Sequence, residues 1–342
     1  MNTMSQSEKE TLKGEILDMS RQARIRPLTP WLSRELDKQI DRGRYPPASK
    51  LSEIADSLVE DIRLYGTNHT IGTGVIGMSG GVDSALAAAL TKKAGWRVIG
   101  LTLPIHQNPE ETERGIEAIH ALGLEHNHVD LTDAYNGVIG QVGDKDLELL
   151  DDHATKIRRG NIRARLRMIT IYNVASKHKG LVLSTDNLDE LFSGFWTLHG
   201  DVGDLSPMQS LGKAWEVPMI AKLLGVPEKT YRATPTDGLG ISQGDEEQLG
   251  ATYLELELMF FAMADAILVV GEDLEKVINC IEVDPNTSFV LEALTARVKG
   301  TIYKRNSPYN LNHPSEDRYG ILASVDMMFD ANKTTEPLKK NR

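Results

Sequence analysis

Gly77-Met78-Ser79-Gly80-Gly81-Val82-Asp83-Ser84 is the stretch whose reading decides the fold. Ahead of it, Ile71-Gly72-Thr73-Gly74-Val75-Ile76 is short, β-branched and glycine-bounded, the pattern of a buried strand. Behind it, Val82, Ala85, Leu86, Ala89 and Leu90 fall at the spacing of one buried helix face. A strand therefore feeds a glycine-rich turn, and the turn opens a helix. Such a turn leaves backbone N–H groups pointing outward, with the positive end of the helix dipole behind them, and so suits a phosphate. Gly80 and Gly81 permit close approach of that phosphate, and the Ser79 and Ser84 hydroxyls add donors. Asp83 would repel phosphates unless a cation lay between, which points to magnesium. The stretch is neither a Walker A loop nor the dinucleotide G-x-G-x-x-G.

Composition narrows the field. A chain of 342 residues allows two domains or one enlarged α/β domain. With 40% hydrophobic and 25% charged residues it has the make-up of a globular protein, and no run of ~18 apolar residues predicts a membrane span. The polar N-terminus offers no apolar core of a signal peptide, so a cytoplasmic location is expected. Cys280 is the single cysteine, which excludes intrachain disulfides and cysteine-based zinc sites; its apolar neighbours predict a buried, inert thiol. The nine histidines show no metal-ligand spacing. A net charge of −11 opposes binding to nucleic acid or anionic membranes. Against that background Lys156, Arg158, Arg159, Arg163, Arg165 and Arg167 form a basic run suited either to a solvated helix face or to substrate phosphates.

Residues 1–48, with prolines at 27, 30, 46 and 47, predict one helix and a proline-punctuated linker. Ser49 is placed to cap a helix whose stripe of Leu51, Ile54, Ala55, Leu58, Ile62 and Tyr65 needs a core or a partner to cover it. Arg97 to Pro104 reads as a second strand, Glu110 to Leu122 as a helix, and His126 to Leu131 as a weaker third strand. Residues 132–158 read as helical, and Gly160 to Lys179 as a stronger helix burying Ile162, Leu166, Ile169 and Val174. Leu181 to Thr185 reads as a fourth strand. Residues 192–212 form a glycine-rich loop long enough to be functional. Pro218 to Leu224, Tyr253 to Val270 and Ser288 to Val298 predict further helices, and residues 306–342 a loose tail. The expected fold class is α/β, a doubly wound parallel sheet with a helical N-terminal extension over 1–48, a catalytic domain over 49–305 and a tail over 306–342. Ligands then belong at the carboxyl ends of the strands, where the glycine loop lies.

Ser79-Gly80-Gly81-Val82-Asp83-Ser84 resembles the S-G-G-x-D-S loop of the N-type ATP pyrophosphatases, which cut ATP to AMP and pyrophosphate. Further segments resemble the NAD synthetases in consistent order over roughly residues 50–305. Gly160-Asn161-Ile162-Arg163-Ala164-Arg165-Leu166-Arg167-Met168 is similar to their G-N-x-x-A-R-x-R-M helix, and Ser184-Thr185-Asp186-Asn187-Leu188-Asp189-Glu190 to their G-T-D-x-x-E. Gly194-Phe195-Trp196-Thr197 with Gly200-Asp201-Val202-Gly203-Asp204-Leu205-Ser206-Pro207 resembles G-F-F-T…G-D-G-x-x-D-L-x-P, and Pro235-Thr236-Asp237-Gly238-Leu239 resembles P-T-A-D-L.

The resemblance implies an adenine nucleotide α-hydrolase-like domain that amidates nicotinic acid adenine dinucleotide through an adenylated carboxylate, with ammonia as the nitrogen donor and ATP as co-substrate. It implies a homodimer with the dinucleotide at the interface. On the matching positions, Gly77 to Ser84, Thr185, Lys213 and Thr236 would bind ATP. Asp83 and Glu190 would hold Mg2+, and Asp83 and Lys213 would act in the chemistry. Asn161, Arg165, Asp204 and Lys304 would bind the acceptor. The departures fall on the acceptor half: Leu198, followed by His199, stands where the family has lysine, and the loop at Asp201 to Asp204 is one residue shorter. A different acceptor acid, or a sensor that lost turnover, are the alternatives.

Overall fold

The computed structural model describes residues 4–142, 150, 152–236, 238–242 and 244–306; Asp237 and the expected tail after residue 306 lie outside them. Four parallel strands form the sheet: β1 (Thr73–Gly77), β2 (Arg97–Thr102), β3 (Glu125–His128) and β4 (Leu181–Val182), in spatial order β3-β2-β1-β4. The chain steps outward from β1 through β2 to β3, then returns to the other side of β1. The order reverses at β1, so the glycine loop after Gly77 sits at the switch point of the sheet. β3 and β4 are shorter than the sequence predicts. Edge strands end where only one neighbour supplies hydrogen bonds, and Leu183 beyond β4 is left with an isolated bridge to Leu205.

Alternation along the strands divides two cores. Val75, Ile99, Leu101 and Val182 face α7 (Thr132–Val142) and α8 (His153–His178), meeting Met168, Ile171 and Ala175. Ile76 and Val98 face the opposite layer. There α5 (Val82–Lys93) lies on β1 and β2, backed by α4 (Ala48–His69) and α10 (Glu216–Leu223), while α6 (Pro109–Ala121) covers β2 and β3. Helices on both faces make the sheet doubly wound, as expected. α5 is buried around most of its circumference, including Ala87, Ala88 and Thr91, because the sheet and two helices enclose it; its alanines permit that close approach.

Several local readings change. α8 is one continuous helix whose inward face is Ala164, Met168, Ile171 and Ala175, with Ile162, Leu166 and Val174 packed partly buried beside them; of the expected set Ile169 turns outward and is 67% exposed. The register of the face is set by the sheet beneath, where Val75, Ile99, Leu101 and Val182 form the surface it packs on. α4 begins at Ala48 with Pro47 as its cap, not Ser49. Its stripe is covered by α5 and α10 within the chain, so Leu51, Ala55 and Ile62 are unavailable to a partner.

Residues before 48 form helices α1 (Gln6–Met19), α2 (Gln22–Ile25) and α3 (Pro30–Asp41) rather than one helix and a linker. Ser5 and Glu8 close a capping box on α1, and Thr29 caps α3 with Pro30 at its first position. The reason for this order lies at the other end of the chain. The remaining helices are α9 (Leu188–Ser193), α11 (Glu228–Tyr231), α12 (Asp245–Leu249), α13 (Tyr253–Val270), α14 (Leu274–Cys280) and α15 (Ser288–Thr301). α13 is apolar on nearly every side; α3, α9, α14 and α15 cover it as far as Ala266, while Leu268 and Val269 in its last turn stay exposed. Buried Glu255 on α13 takes Arg26 and Gln22, and Asp265 pairs with Lys38 (3.0 Å), Arg44 (2.6 Å) and Arg42. Cys280 is exposed, against expectation. Within the short α14 only Val277 is fully buried, and the chain keeps contact with the core through Leu274, Ile281 and Val283 while Cys280 faces outward. No helix among the described residues is long and apolar enough to cross a membrane.

Leu36 on α3 is fully buried against this layer. Leu36→Ala should lower stability by about 2–5 kcal/mol, read as a lower urea midpoint with an unchanged slope. An unmoved midpoint would show that α3 does not share the catalytic core.

Candidate active site

The carboxyl end of β1 opens into a cavity of about 510 Å³, into which residues 77–79 and 81–84 project. Gly81 caps α5 in extended conformation (φ −88°, ψ 162°) with no side-chain cap, so the first amides of the helix face the cavity mouth. Ser79 Oγ accepts from Gly81 N at 3.3 Å, and Ser84 Oγ donates to the Gly81 carbonyl at 3.2 Å, which shapes the turn. Gly80 has φ +89°, and a Cβ there would stand 2.1 Å from the Glu111 carbonyl oxygen. α6 is pressed against the back of the loop, and Arg114 Nε donates to the Gly80 carbonyl at 3.2 Å.

Asp83, in the first turn of α5, is paired with Lys213 Nζ, and Asn187 Nδ2 donates to its other oxygen at 3.2 Å. Lys213 is buried, with its ammonium 5.5 Å from the Tyr253 ring centroid. Burial alone would lower its pKa, but Asp83 and Glu190 outweigh it and hold the ammonium above the usual lysine value. Glu190 closes a capping box on α9: its amide donates to Asn187 Oδ1 at 3.0 Å and its carboxylate accepts from Asn187 N at 3.2 Å. Burial, then the Asp83 charge, pushes its carboxyl well above the ordinary range. Asp186, held by Ser184 Oγ at 2.7 Å, is pushed up to about 6, chiefly by burial. Negative charge is thus crowded beside the phosphate loop with one ammonium against it. Hard oxygen donors that repel one another are the set a divalent cation relieves. Among the described residues no three His, Cys, Asp or Glu side chains cluster as a metal site.

The opposite wall is cationic and aromatic. Arg165 and Arg167 of α8 line the cavity. Arg165 Nε donates to the Leu198 carbonyl at 3.2 Å; Arg167 donates to the Leu103 carbonyl (3.0 Å), the Gly238 carbonyl and Gln107 Oε1. Asn161 Oδ1 accepts from Thr197 Oγ1 at 2.7 Å. The glycine-rich loop folds over this end. Gly194 ends α9 at φ +67°, and Lys304 donates to the Gly194 carbonyl (2.9 Å) and the Trp196 carbonyl, with Nζ 5.4 Å from the Trp196 ring. Burial lowers the Lys304 pKa. Asp201 accepts from Thr197 N at 2.7 Å and is pushed up to about 7 by burial.

Thr185 and Thr236 line the cavity, Thr236 Oγ1 donating to Glu111 Oε1 at 2.9 Å. Asp204 does not. Its carboxylate accepts from Tyr172 OH (2.8 Å) and Val182 N (2.9 Å), on the exposed side of α8. Of the basic run, Lys156, Arg158, Arg159 and Arg163 also fall outside the lining; Arg163 binds the Leu239 carbonyl. Sequence reasoning named Arg167 in the basic run but passed over Asn187, Asp186 and Gln107. Asn187 and Asp186 stand inside the quoted motif from Ser184 to Glu190, where their chemistry was the available signal. Gln107, which donates to the Ser79 carbonyl at 3.3 Å, carries no sequence signal.

A parallel sheet with a glycine loop at its switch point, facing a lysine-paired aspartate, defines a nucleotide-binding domain of the adenine nucleotide α-hydrolase-like class. The NAD synthase family profile matches residues 51–308, and the chain belongs to that family. The NH(3)-dependent NAD(+) synthetase of Finegoldia magna is 38% identical over 185 residues, 54% of this chain and 73% of that protein. That of Alkaliphilus oremlandii is 38% identical over 207 residues, 59% of this chain and 81% of its own length. Among solved structures, NMN synthetase from Francisella tularensis aligns with a TM-score of 0.63 at 27% identity, over 77% of this chain and 99% of that one.

Gly80→Ala should raise the KM for ATP by at least about tenfold, or 1.4 kcal/mol, because the loop cannot keep its shape against α6. Steady-state kinetics at varied ATP check this; an unchanged KM would remove Gly80 from the phosphate site.

Proposed function

We propose that this chain is an ammonia-dependent NAD synthetase, amidating nicotinic acid adenine dinucleotide with ATP. The Asp83–Lys213 pair beneath the glycine loop, at one end of a cavity whose other end is cationic and aromatic, carries the reading. A free carboxylate is a poor electrophile, since its leaving group would be oxide. Its oxygen therefore attacks the α-phosphorus of ATP, the bond from that phosphorus to the bridging oxygen breaks, and pyrophosphate leaves. Ammonia then attacks the acyl carbon, gives up a proton, and AMP departs with its oxygen. The amides of residues 79–84 bind phosphate oxygens, and the Lys213 ammonium faces the charge that grows on pyrophosphate. Asp83 and Glu190 would hold Mg2+, which supplies further neutralisation of the leaving group. Arg165, Asn161 and Lys304 would fix the acceptor, with Trp196 as a stacking surface for its rings.

Ammonia as donor is supported by the relatives' designation as NH(3)-dependent synthetases, and Cys280, although exposed, lies on α14 and lines no part of the cavity. The catalytic unit spans 49–305, and the protein works in the cytoplasm without nucleic-acid or membrane partners.

Leu198 in place of the family lysine favours a second acceptor, nicotinic acid mononucleotide, in line with the F. tularensis relative. Purified protein is incubated with ATP, Mg2+, ammonium and either acid, and products are separated by mass. NAD, AMP and pyrophosphate are expected; ADP with orthophosphate would sink the mechanism, and amidation of the mononucleotide alone would reassign the acceptor. Asp83→Ala and Glu190→Gln should each lower turnover at least about a hundredfold, or 2.7 kcal/mol. Glu190→Gln is chosen because the amide can keep the capping box.

A homodimer accounts for Asp204. The exposed Ile169 (67%) and Tyr172 of α8 lie on the face that presents Asp204 outward, where it would reach a partner's dinucleotide. Light scattering at micromolar concentration should give a dimer, and Ile169→Asp should give monomers of reduced activity. A wild-type protein that is a stable, active monomer refutes the assembly.

A further inference from the structure

Four consecutive residues, 212–215, are each tied down by a different part of the chain. Gly212 N donates to Glu216 Oε2 at 2.8 Å, Lys213 N to Asp189 Oδ2 at 2.7 Å, and Ala214 N to Glu257 Oε2 at 3.1 Å. Trp215, fully buried, donates from Nε1 to the Pro46 carbonyl at 2.7 Å. The anchors come from α10, α9, α13 and the segment before the family match. Gly212 is a glycine for a visible reason: a Cβ there would stand 2.7 Å from Glu257 Oε2.

The neighbouring residue of that early segment, Tyr45, reaches the same cluster. Its ring is fully buried, edge-on to Phe261 at 5.7 Å, its hydroxyl makes no hydrogen bond of normal geometry, and burial, then the Glu257 charge, holds its pKa well above the ordinary range. Burial holds both Glu257 and Glu216 above the ordinary carboxyl range. Taking carboxyl groups out of water is costly. A turn needing only to connect α9 to α10 would close on water or on neutral side chains at less cost. What the turn carries is Lys213, whose four-carbon stem transmits any backbone error to the ammonium.

We propose that Glu257 and Tyr45, with Asp189 and Glu216, are positioning residues that hold the backbone of 212–214 so that the Lys213 ammonium meets Asp83 and the leaving phosphates. The N-terminal extension is thereby part of the active-site scaffold, although it lies outside residues 51–308. The inference rests on the reading of Lys213 as a phosphate-facing cation. Glu257 and Tyr45 touch no substrate and act through the lysine.

The experiment compares Glu257→Leu, which removes the acceptor of Ala214 N, with Glu257→Gln, which can retain it, and with Tyr45→Phe, which keeps the ring. Each is measured well below its unfolding temperature, alone and with Lys213→Ala. Glu257→Leu should lower kcat roughly a hundredfold, as a misplacement near 1 Å does, with the KM for ammonium unchanged, and Glu257→Gln should recover most of the rate. In the Lys213→Ala background, Glu257→Leu and Tyr45→Phe should cause no further loss, because the group they position is gone. If Glu257→Leu does not fold, Gly212→Ala, which forces the turn away from the same carboxyl, stands in for it. Unchanged kcat in folded Glu257→Leu and in Tyr45→Phe, or a full further loss on top of Lys213→Ala, overturns the proposal. Full activity of Lys213→Ala by itself overturns instead the role given to the lysine.

Discussion

The pairing of Lys213 with Asp83 is the interaction on which the rest of the structure depends. Its side chains are only 5% and 18% exposed, and the residues lie 130 positions apart in the chain. A buried lysine without a partner would lose its proton or unfold its surroundings, so the pair ties the start of α5 to the turn before α10. Every element between them must be in place for the two charges to meet. The sheet brings β1 and β4 side by side, β4 leads into α9, and α9 supplies Asn187 to the other oxygen of Asp83.

The same pair divides the cavity. On its side lie the glycine loop and a crowd of carboxyls whose burial and mutual repulsion raise Glu190 and Asp186. Across from it lie Arg165, Arg167 and Lys304, already engaged with backbone carbonyls at Leu198, Leu103 and Gly194. One end suits a polyphosphate with its cation, the other an anionic, ring-bearing acceptor. The two ends are held in relation by a single helix, α8, whose inner face packs on the sheet while its outer face stays open.

Order in the N-terminal segment follows from the constraint at α13. A helix with buried Glu255 and Glu257 and apolar residues all round cannot stand alone. Covering it draws α1 to α3 onto the domain, and that cover brings Tyr45 and Pro46 to the back of the Lys213 turn. The surface helices thus reach the chemistry through packing and not through any motif.

The sequence alone determined what is local. A strand, a glycine turn and a helix start are made by neighbouring residues through short-range hydrogen bonds, so the loop from Gly77 to Ser84 could be read directly, as could the α8 arginines and the segment from Ser184 to Glu190. Only the tertiary structure decided what depends on distant partners. Ile169 turns outward because the sheet chooses the face of α8, and Cys280 is exposed although its neighbours Val277 and Ile281 pack on the core. Asp204 braces β4 on the outer side and leaves its own cavity, although its motif matched. Glu190 caps a helix as well as facing the loop. Periodicity records which residues are apolar, but not which of several surfaces will cover them. The three carboxyls around 212–214 come from separate helices, and nothing in the spacing of their residues announces that they meet.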